Sequence, residues 1–193
     1  RDCLLESCRR ELLPASDSIL RLVHLSTPRR EGLRWPPYAA EQGRFVIGDG
    51  VDYRLWYFDE NGQLVGAMQR DLPRRTRTAR ERENDEASWA RLIEDGIQAD
   101  IEARRTLADT EPLPHFAYAS LGFDAEHRLW VIGKTGDSTF ADVFAGTTFL
   151  GRRLIDCTRP DRGPASVRGR FLVLTCSEDD LESPYRFRLF KIQ

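Results

Sequence analysis

The chain has 193 residues and a formal net charge of −2. This length suits one full domain or two small ones. With 40% hydrophobic and 31% charged residues, the composition is typical of a soluble globular chain and excludes wholesale disorder. The 29 basic and 31 acidic residues lack the basic excess of a general nucleic-acid binder, so we expect no nucleic-acid partner. No apolar run approaches the roughly 18 residues of a membrane span, so we expect no direct span.

Residues 43–69 carry the first strand pattern. Phe45 and Ile47, and later Leu55 and Tyr57, alternate with their neighbours in period two between Gly and Asp turns. The segment 59–62, Asp-Glu-Asn-Gly, separates two such runs and predicts a tight hairpin with Asn-Gly at the positive-φ positions.

Two further segments repeat this plan, at 121–156 and from Ser166 onward. The phrase Arg-Leu-Trp recurs at 54–56 and at 128–130, which favours a blade repeat with the two tryptophans at equivalent positions. We therefore predict an all-β chain of about three β-propeller-like blades in a partial ring, with one inserted amphipathic helix. The expected units are the end of an earlier blade and its connection (1–42), a blade (43–70), a helical insertion (74–112), a blade (114–157) and a final blade (163–193).

The predicted helix runs from Thr78 or Asp85 to Leu107. An apolar stripe recurs at three- and four-residue steps within it, and we expect this stripe to face the β body: Trp89, Leu92, Ile93, Ile97 and Ile101. Residues 78–81, Thr-Ala-Arg-Glu, match a capping box, while 84–85, Asn-Asp, is a second possible start. The helix either packs over the β body as a solvated element or docks a partner.

Four cysteines could form structural disulfides or remain free buried thiols: Cys3, Cys8, Cys157 and Cys176. Their spacings do not match zinc sites. Cys157 and Cys176 each close an apolar strand, and neighbouring strands bring Cα atoms within bridging range, so we predict that these two are linked. Cys3 and Cys8 would then pair with each other or with sequence outside this chain.

Four segments follow one another along the chain: RLWYFDENGQLVGAMQ, a charged helical insertion, LPHFAYASLGFDAEHRLWVIGK and FADVFAGTTFLGRRL. Their combination resembles six-bladed β-propeller proteins of the NHL/TolB-like type, common in high-GC bacteria. The resemblance covers about residues 40–192. It departs from the family pattern at His127, which stands where the turn glycine is expected, and at Gly146, which is displaced. We therefore expect those two turns to be built differently.

The resemblance implies an exported chain about twice this long, of which this sequence is the C-terminal half. Three blades cannot close a ring of six. The chain begins Arg1-Asp2-Cys3, without an initiator methionine or a signal-peptide pattern, so we expect a processed chain or a fragment of a longer one. Either preceding sequence or a partner would cover the open flanks.

Catalytic patterns are weak. The sequence has no G-x-S-x-G elbow, and His24, His115 and His127 each fit a structural role better than a catalytic one. No HExxH, CxxC, GxGxxG or P-loop pattern occurs, so we predict no catalytic, cofactor-binding or metal residues. Two aspartate groups could chelate calcium, although loop solvation explains them better: Asp49, Asp52 and Asp59, and Asp137 and Asp142.

Candidate partner-binding residues fall into two classes. Arginine clusters could hold phosphate or an acidic partner, although acidic residues of the following helix could pair with the first cluster locally: Arg74, Arg75, Arg77, Arg152 and Arg153. The segment 35–38, Trp-Pro-Pro-Tyr, could dock a neighbour through Trp35 and Tyr38.

The first functional hypothesis is therefore a non-enzymatic binding or scaffolding propeller in the periplasm or at the cell surface. It would be an accessory subunit that stabilises a larger exported or membrane-associated assembly. Its partner would be another protein, such as a membrane-protein complex, or the missing N-terminal blades. One alternative is a propeller enzyme, a calcium-dependent hydrolase or a lyase, whose site the missing blades complete. Another is a sensor domain for small ligands.

Overall fold

A computed structural model describes residues 37–94, 96, 101, 105–106, 110, 112–116, 120–136, 138–157, 165–176 and 186–192. These residues form an all-β structure with a helical insertion, as the sequence predicts. The strands are β1 (Tyr38–Glu41), β2 (Arg44–Asp49), β3 (Arg54–Phe58), β4 (Leu64–Gln69), β5 (Leu121–Phe123), β6 (Leu129–Thr135), β7 (Ser138–Ala145), β8 (Thr148–Ile155), β9 (Ala165–Arg168), β10 (Phe171–Cys176) and β11 (Arg186–Lys191), and the helix is α1 (Ala79–Glu94).

Each of the three sheets is an antiparallel meander in which strands pair in chain order. The first sheet contains β1 to β4, the second contains β5 to β8, and the third contains β9 to β11. Most consecutive strands are joined by two to five residues, and connections this short join antiparallel neighbours. The three strand-rich units predicted from the sequence therefore correspond to three separate sheets.

The first sheet begins earlier than the sequence predicted. Strand β1, which the prediction assigned to a connection within 1–42, pairs with β2, and Tyr38 lies opposite Ile47. The two strands are joined by Gln42 and Gly43, with φ of 45° and 75°. Positive φ at both turn residues matches the right-handed twist of a hairpin. The prediction missed β1 because four residues are too few to establish a period.

The turn at 124–127, which contains His127, is built like the Asp-Glu-Asn-Gly turn at 59–62. In 59–62, the Asp59 Oδ1 accepts hydrogen bonds from the backbone N–H groups of Asn61 and Gln63. In 124–127, the Asp124 Oδ1 accepts them from Glu126 and Arg128 in the same way.

The expectation of a different construction at His127 is therefore wrong. His127 adopts φ of 60°, where the first turn has Gly62 at 74°. Gly62 alone has positive φ in its turn, so Asn61 does not share that role. The aspartate side chain sets the turn, and a non-glycine residue is tolerated at its last position.

The two Arg-Leu-Trp phrases are not repeat equivalents. Trp56 lies in β3, the third strand of its sheet, before an aspartate turn, whereas Trp130 lies in β6, the second strand, after one. Trp130 is buried between the second and third sheets, but Trp56 packs with Ile47 and Phe58 on the face of the first sheet that is turned away from the second. The prediction of equivalent positions is wrong because three residues are too short to fix a register.

Two hydrophobic clusters hold the sheets together. The first joins residues such as Val46 and Leu55 of the first sheet to Val131 and Phe140 of the second. The second joins the opposite face of the second sheet to residues such as Leu174 of the third. The second sheet is thus covered on both faces, and its central strands β6 and β7 are buried almost throughout.

Helix α1 begins with a capping box at Thr78, the first of the two predicted starts. The Thr78 Oγ1 accepts from the Glu81 N–H, and the Glu81 carboxylate accepts from the Thr78 N–H. The apolar stripe is partly turned inward, because Ile101 is buried and Trp89 is half-buried, whereas Ile93 is exposed. Ile97 lies outside the described residues. Within the described part of the chain, no helix is long and apolar enough to cross a membrane.

The buried side chain of α1 is charged. Glu81 accepts hydrogen bonds from Arg75 and from Lys134 of β6, at 3.2 Å for the lysine Nζ. Arg75 also donates to the Pro114 carbonyl at 3.1 Å. The beginning of the helix is therefore attached to the second sheet by an ion cluster, and not by the predicted apolar stripe alone.

We expect Glu81→Gln to lower the free energy of unfolding by about 3 kcal/mol or more, because it removes the buried anion that Arg75 and Lys134 share. Glutamine can still serve in a capping box, so the substitution isolates the charge. Chemical denaturation measures this change. The control is Glu86→Gln, which removes an exposed partner of Arg105 and should cost less than about 1 kcal/mol. Equal effects of the two substitutions would contradict the buried ion cluster.

The predicted disulfide between Cys157 and Cys176 is present, with Cα atoms 5.4 Å apart. It joins the end of the second sheet to β10 of the third, so the strands it links belong to different sheets and are not neighbours within one. The Thr139 hydroxyl donates to the Cys157 carbonyl and fixes this end of the second sheet. Cys3 and Cys8 lie outside the described residues.

Replacing Cys157 and Cys176 together by serine should lower the free energy of unfolding by about 3 kcal/mol, since the bridge restricts the unfolded chain. Denaturant titration of the oxidised wild type and the double variant gives the difference. Peptide mapping without reductant should recover the two cysteines in one linked pair. Recovery of Cys157 as an alkylated free thiol would contradict the bridge.

Candidate binding site

A buried carboxylate lies between the first and second sheets. Asp142 of β7 is fully buried, and its Oδ2 accepts hydrogen bonds from the Tyr53 hydroxyl and the Arg70 Nη1, both at 2.5 Å. The Arg152 Nε and Nη2 donate to the two carboxylate oxygens at 2.7 and 2.9 Å. Burial and the Asp142 charge raise the pKa of Tyr53 far above its ordinary value. Tyr53 is therefore a neutral donor that links the first sheet to the second.

The two guanidinium groups around Asp142 are also held by aromatic rings. Arg70 lies over the Phe149 ring at 3.9 Å, and Arg152 lies over the Phe140 ring at 3.7 Å. The side chains of Arg70 and Arg152 are 21% and 27% exposed. Hydrogen bonds from one side and ring contacts from another fix both groups while leaving part of each accessible.

The predicted arginine clusters are therefore largely engaged inside the chain. Arg75 is buried with Glu81, and Arg77 donates to Asp85 of α1 at 2.8 Å, so these two do not form a free surface patch. The sequence analysis gave this pairing with acidic residues of the helix as the alternative to binding phosphate or an acidic partner. Arg152 is half-buried on Asp142, and Arg74 is exposed.

Two other predicted partner residues are accessible. Arg153 is exposed and lies 5.7 Å from the Trp130 ring, on the opposite face of β8 from Arg152. Tyr38 is exposed at the edge of the first sheet and contacts the Phe45 ring. Trp35 lies outside the described residues.

The described histidines have structural surroundings. The backbone of His115 bridges the first two sheets, donating to the Gly50 carbonyl and accepting from the Lys134 N–H. Burial and the guanidinium groups of Arg75 and Arg152 lower the pKa of His115 below its ordinary value of 6.5. The His127 Nδ1 lies 3.0 Å from a carboxylate oxygen of Glu41. His24 lies outside the described residues.

The aspartates considered as calcium ligands have local roles in the described residues. Asp49 and Asp59 accept hydrogen bonds from backbone N–H groups of their own turns, and Asp142 is bound by arginines. Among the described residues, no three His, Cys, Asp or Glu side chains gather where they could hold a metal ion. Asp137 lies outside the described residues.

The outer face of the third sheet carries exposed apolar side chains that the sequence prediction did not identify. Phe171, Phe187 and Leu189 are 46%, 72% and 65% exposed. The alternate residues, such as Leu172 and Leu174, turn inward and pack on the second sheet. The sequence did carry a signal for this face, because residues 171–174 are all apolar. A strand with one solvated face would instead alternate apolar and polar residues.

Positive charge lies at one end of this outer face, which we define by Phe171, Phe187 and Leu189. Arg168 and Lys191 lie opposite Phe171 on the flanking strands, so all three share one side of the sheet. The described residues of the third sheet, 165–176 and 186–192, include no carboxylate side chain. The face is thus apolar with a cationic margin.

Comparison with known protein families and with curated proteins found no match to this chain. The assignment of a function therefore rests on the residues and their geometry.

The lowered pKa of His115 predicts a pH dependence of stability. The unfolded chain binds a proton near pH 6.5 and the folded chain does not, so the free energy of unfolding should fall as the pH drops below about 6.5. Denaturation at about pH 7.5 and pH 5.5 should show a smaller difference in His115→Gln than in wild type. The control is His127→Gln, which replaces an exposed histidine. An unchanged difference in His115→Gln would contradict the prediction.

Proposed function

We propose that this chain is a non-enzymatic binding and scaffolding protein that contacts another polypeptide through the outer face of the third sheet. The observation that carries the proposal is the set of exposed apolar side chains on that face, Phe171, Phe187 and Leu189. The corresponding layers between the first and second sheets, and between the second and third, are filled by apolar residues. A partner would extend this layering.

A propeller-like arrangement is part of the proposal. The first strands of the sheets, β1, β5 and β9, are neighbours across the sheets. The last strands, β4, β8 and β11, are largely exposed. These features fit blades arranged around a common axis, with their last strands outermost. Three such blades would leave a ring that other polypeptide has to complete.

The energetics favour a covered outer face. Burying a phenylalanine or leucine side chain contributes up to about 1.5–3 kcal/mol, and exposed clusters of such residues mark interaction surfaces. A specific interface buries at least about 1,000 Å² in total, so these residues would form its apolar centre and Arg168 and Lys191 part of its rim. This role suits an accessory subunit of a larger assembly.

An exported location is also proposed. The bridge between Cys157 and Cys176 is of the structural kind that persists in oxidising compartments. The periplasm or the cell surface, and an exported or membrane-associated assembly as the partner, are consistent with it.

The test uses self-association of the purified chain, since a face of this kind drives association when its partner is missing. We expect wild type to show concentration-dependent oligomers in sedimentation velocity. Leu189→Thr combined with Phe187→Thr should shift the chain toward monomer while leaving the melting temperature nearly unchanged, because both side chains are exposed.

The matched control places threonine at Val65 and Leu64 of β4, which are 65% and 49% exposed. This variant should associate as wild type does. A wild type that stays monodisperse and monomeric at all concentrations, or an equal effect of the two threonine pairs, would contradict the proposed binding face.

A further inference from the structure

A second surface lies between the outer strands of the first and second sheets. Around Asp142, two arginines share one carboxylate, so the cluster carries one formal positive charge in excess. The Arg70 Nη1 and the Arg152 Nη2 both donate to the same oxygen, Asp142 Oδ2, so the guanidinium groups are neighbours. In the described part of the chain, no second anion contacts either group.

The geometry of the two guanidinium groups favours a further anion. The Arg70 side chain gives one hydrogen bond to the described residues, through Nη1, and its other N–H groups are available. Stacking on Phe149 and Phe140 limits the movement of both arginines. A ligand would therefore meet donors that are already oriented, which reduces the entropic cost of binding.

The surroundings of the site indicate which anion fits. Leu154 lies two residues after Arg152, so both side chains project from the same face of β8. Leu154 is 73% exposed, and the Phe149 ring beneath Arg70 is also accessible. Inorganic phosphate could use the guanidinium groups but not these apolar surfaces. We propose that Arg70 and Arg152 bind a carboxylate carried on an apolar carbon chain, with Leu154 contacting the chain.

The experiment follows the Nε–Hε resonances of the arginines by NMR during titration with hexanoate, acetate or inorganic phosphate at constant ionic strength. We expect saturable shifts confined to Arg70 and Arg152, and hexanoate bound about tenfold more tightly than acetate or phosphate, which corresponds to partial burial of its methylene groups. Equal shifts of all arginines would indicate charge screening and overturn the proposal. Phosphate binding as tight as hexanoate binding would also overturn it.

Variants separate the two parts of the site. Arg70→Gln should weaken hexanoate about tenfold or more, because it removes a charged donor. Leu154→Thr should reduce hexanoate affinity to that of acetate without affecting acetate itself. The control is Arg153→Gln, on the opposite face of β8, which should bind as wild type does.

If Arg70→Gln does not fold, Arg70→Lys keeps the charge but loses the planar pair of donors, and a several-fold loss is expected. Unchanged affinity in the folded Arg70 variant would contradict the proposal.

Discussion

The structure depends on the requirement that a sheet with two apolar faces be covered on both. In β6, Val131 faces the first sheet and Ile132 faces the third, and both are fully buried. The second sheet can therefore exist only between two neighbours. The third sheet also has apolar side chains on both faces, but Phe171, Phe187 and Leu189 on its outer face remain exposed. The proposed binding function follows from this difference between the sheets.

Buried ion clusters make the stacking specific. A shift of β7 by one residue would turn Asp142 away from Tyr53, Arg70 and Arg152 and place its carboxylate among apolar side chains. Glu81 acts similarly at the start of the helix, where Arg75 and Lys134 neutralise it. We infer that these clusters contribute more to register than to net stability, since a buried ion pair loses hydration that its attraction only partly restores.

Features whose residues lie close together in the chain could be predicted from the sequence, and features that join distant residues could not. The period-two runs, the turn at Asp59 and the capping box at Thr78 are local, and the sequence located them. Strand β1 was missed because it is short and paired through a two-residue turn. The hydrogen bond between Tyr53 and Asp142 joins residues 89 positions apart, and no local sequence pattern predicts it. The disulfide was predicted from strand ends, because Cys157 and Cys176 each close an apolar run.

The central claim is that the layered structure leaves the outer face of the third sheet available to a partner. Hydrogen exchange tests this claim most directly. The amides of β6 and β7 should exchange only on global unfolding, because both faces of these strands are covered. Amides of β11 that are hydrogen-bonded to β10 should exchange much faster by local opening in dilute protein. Their exchange should slow as protein concentration rises and the outer face becomes occupied. Protection of β11 equal to that of β7 and independent of concentration would contradict the account.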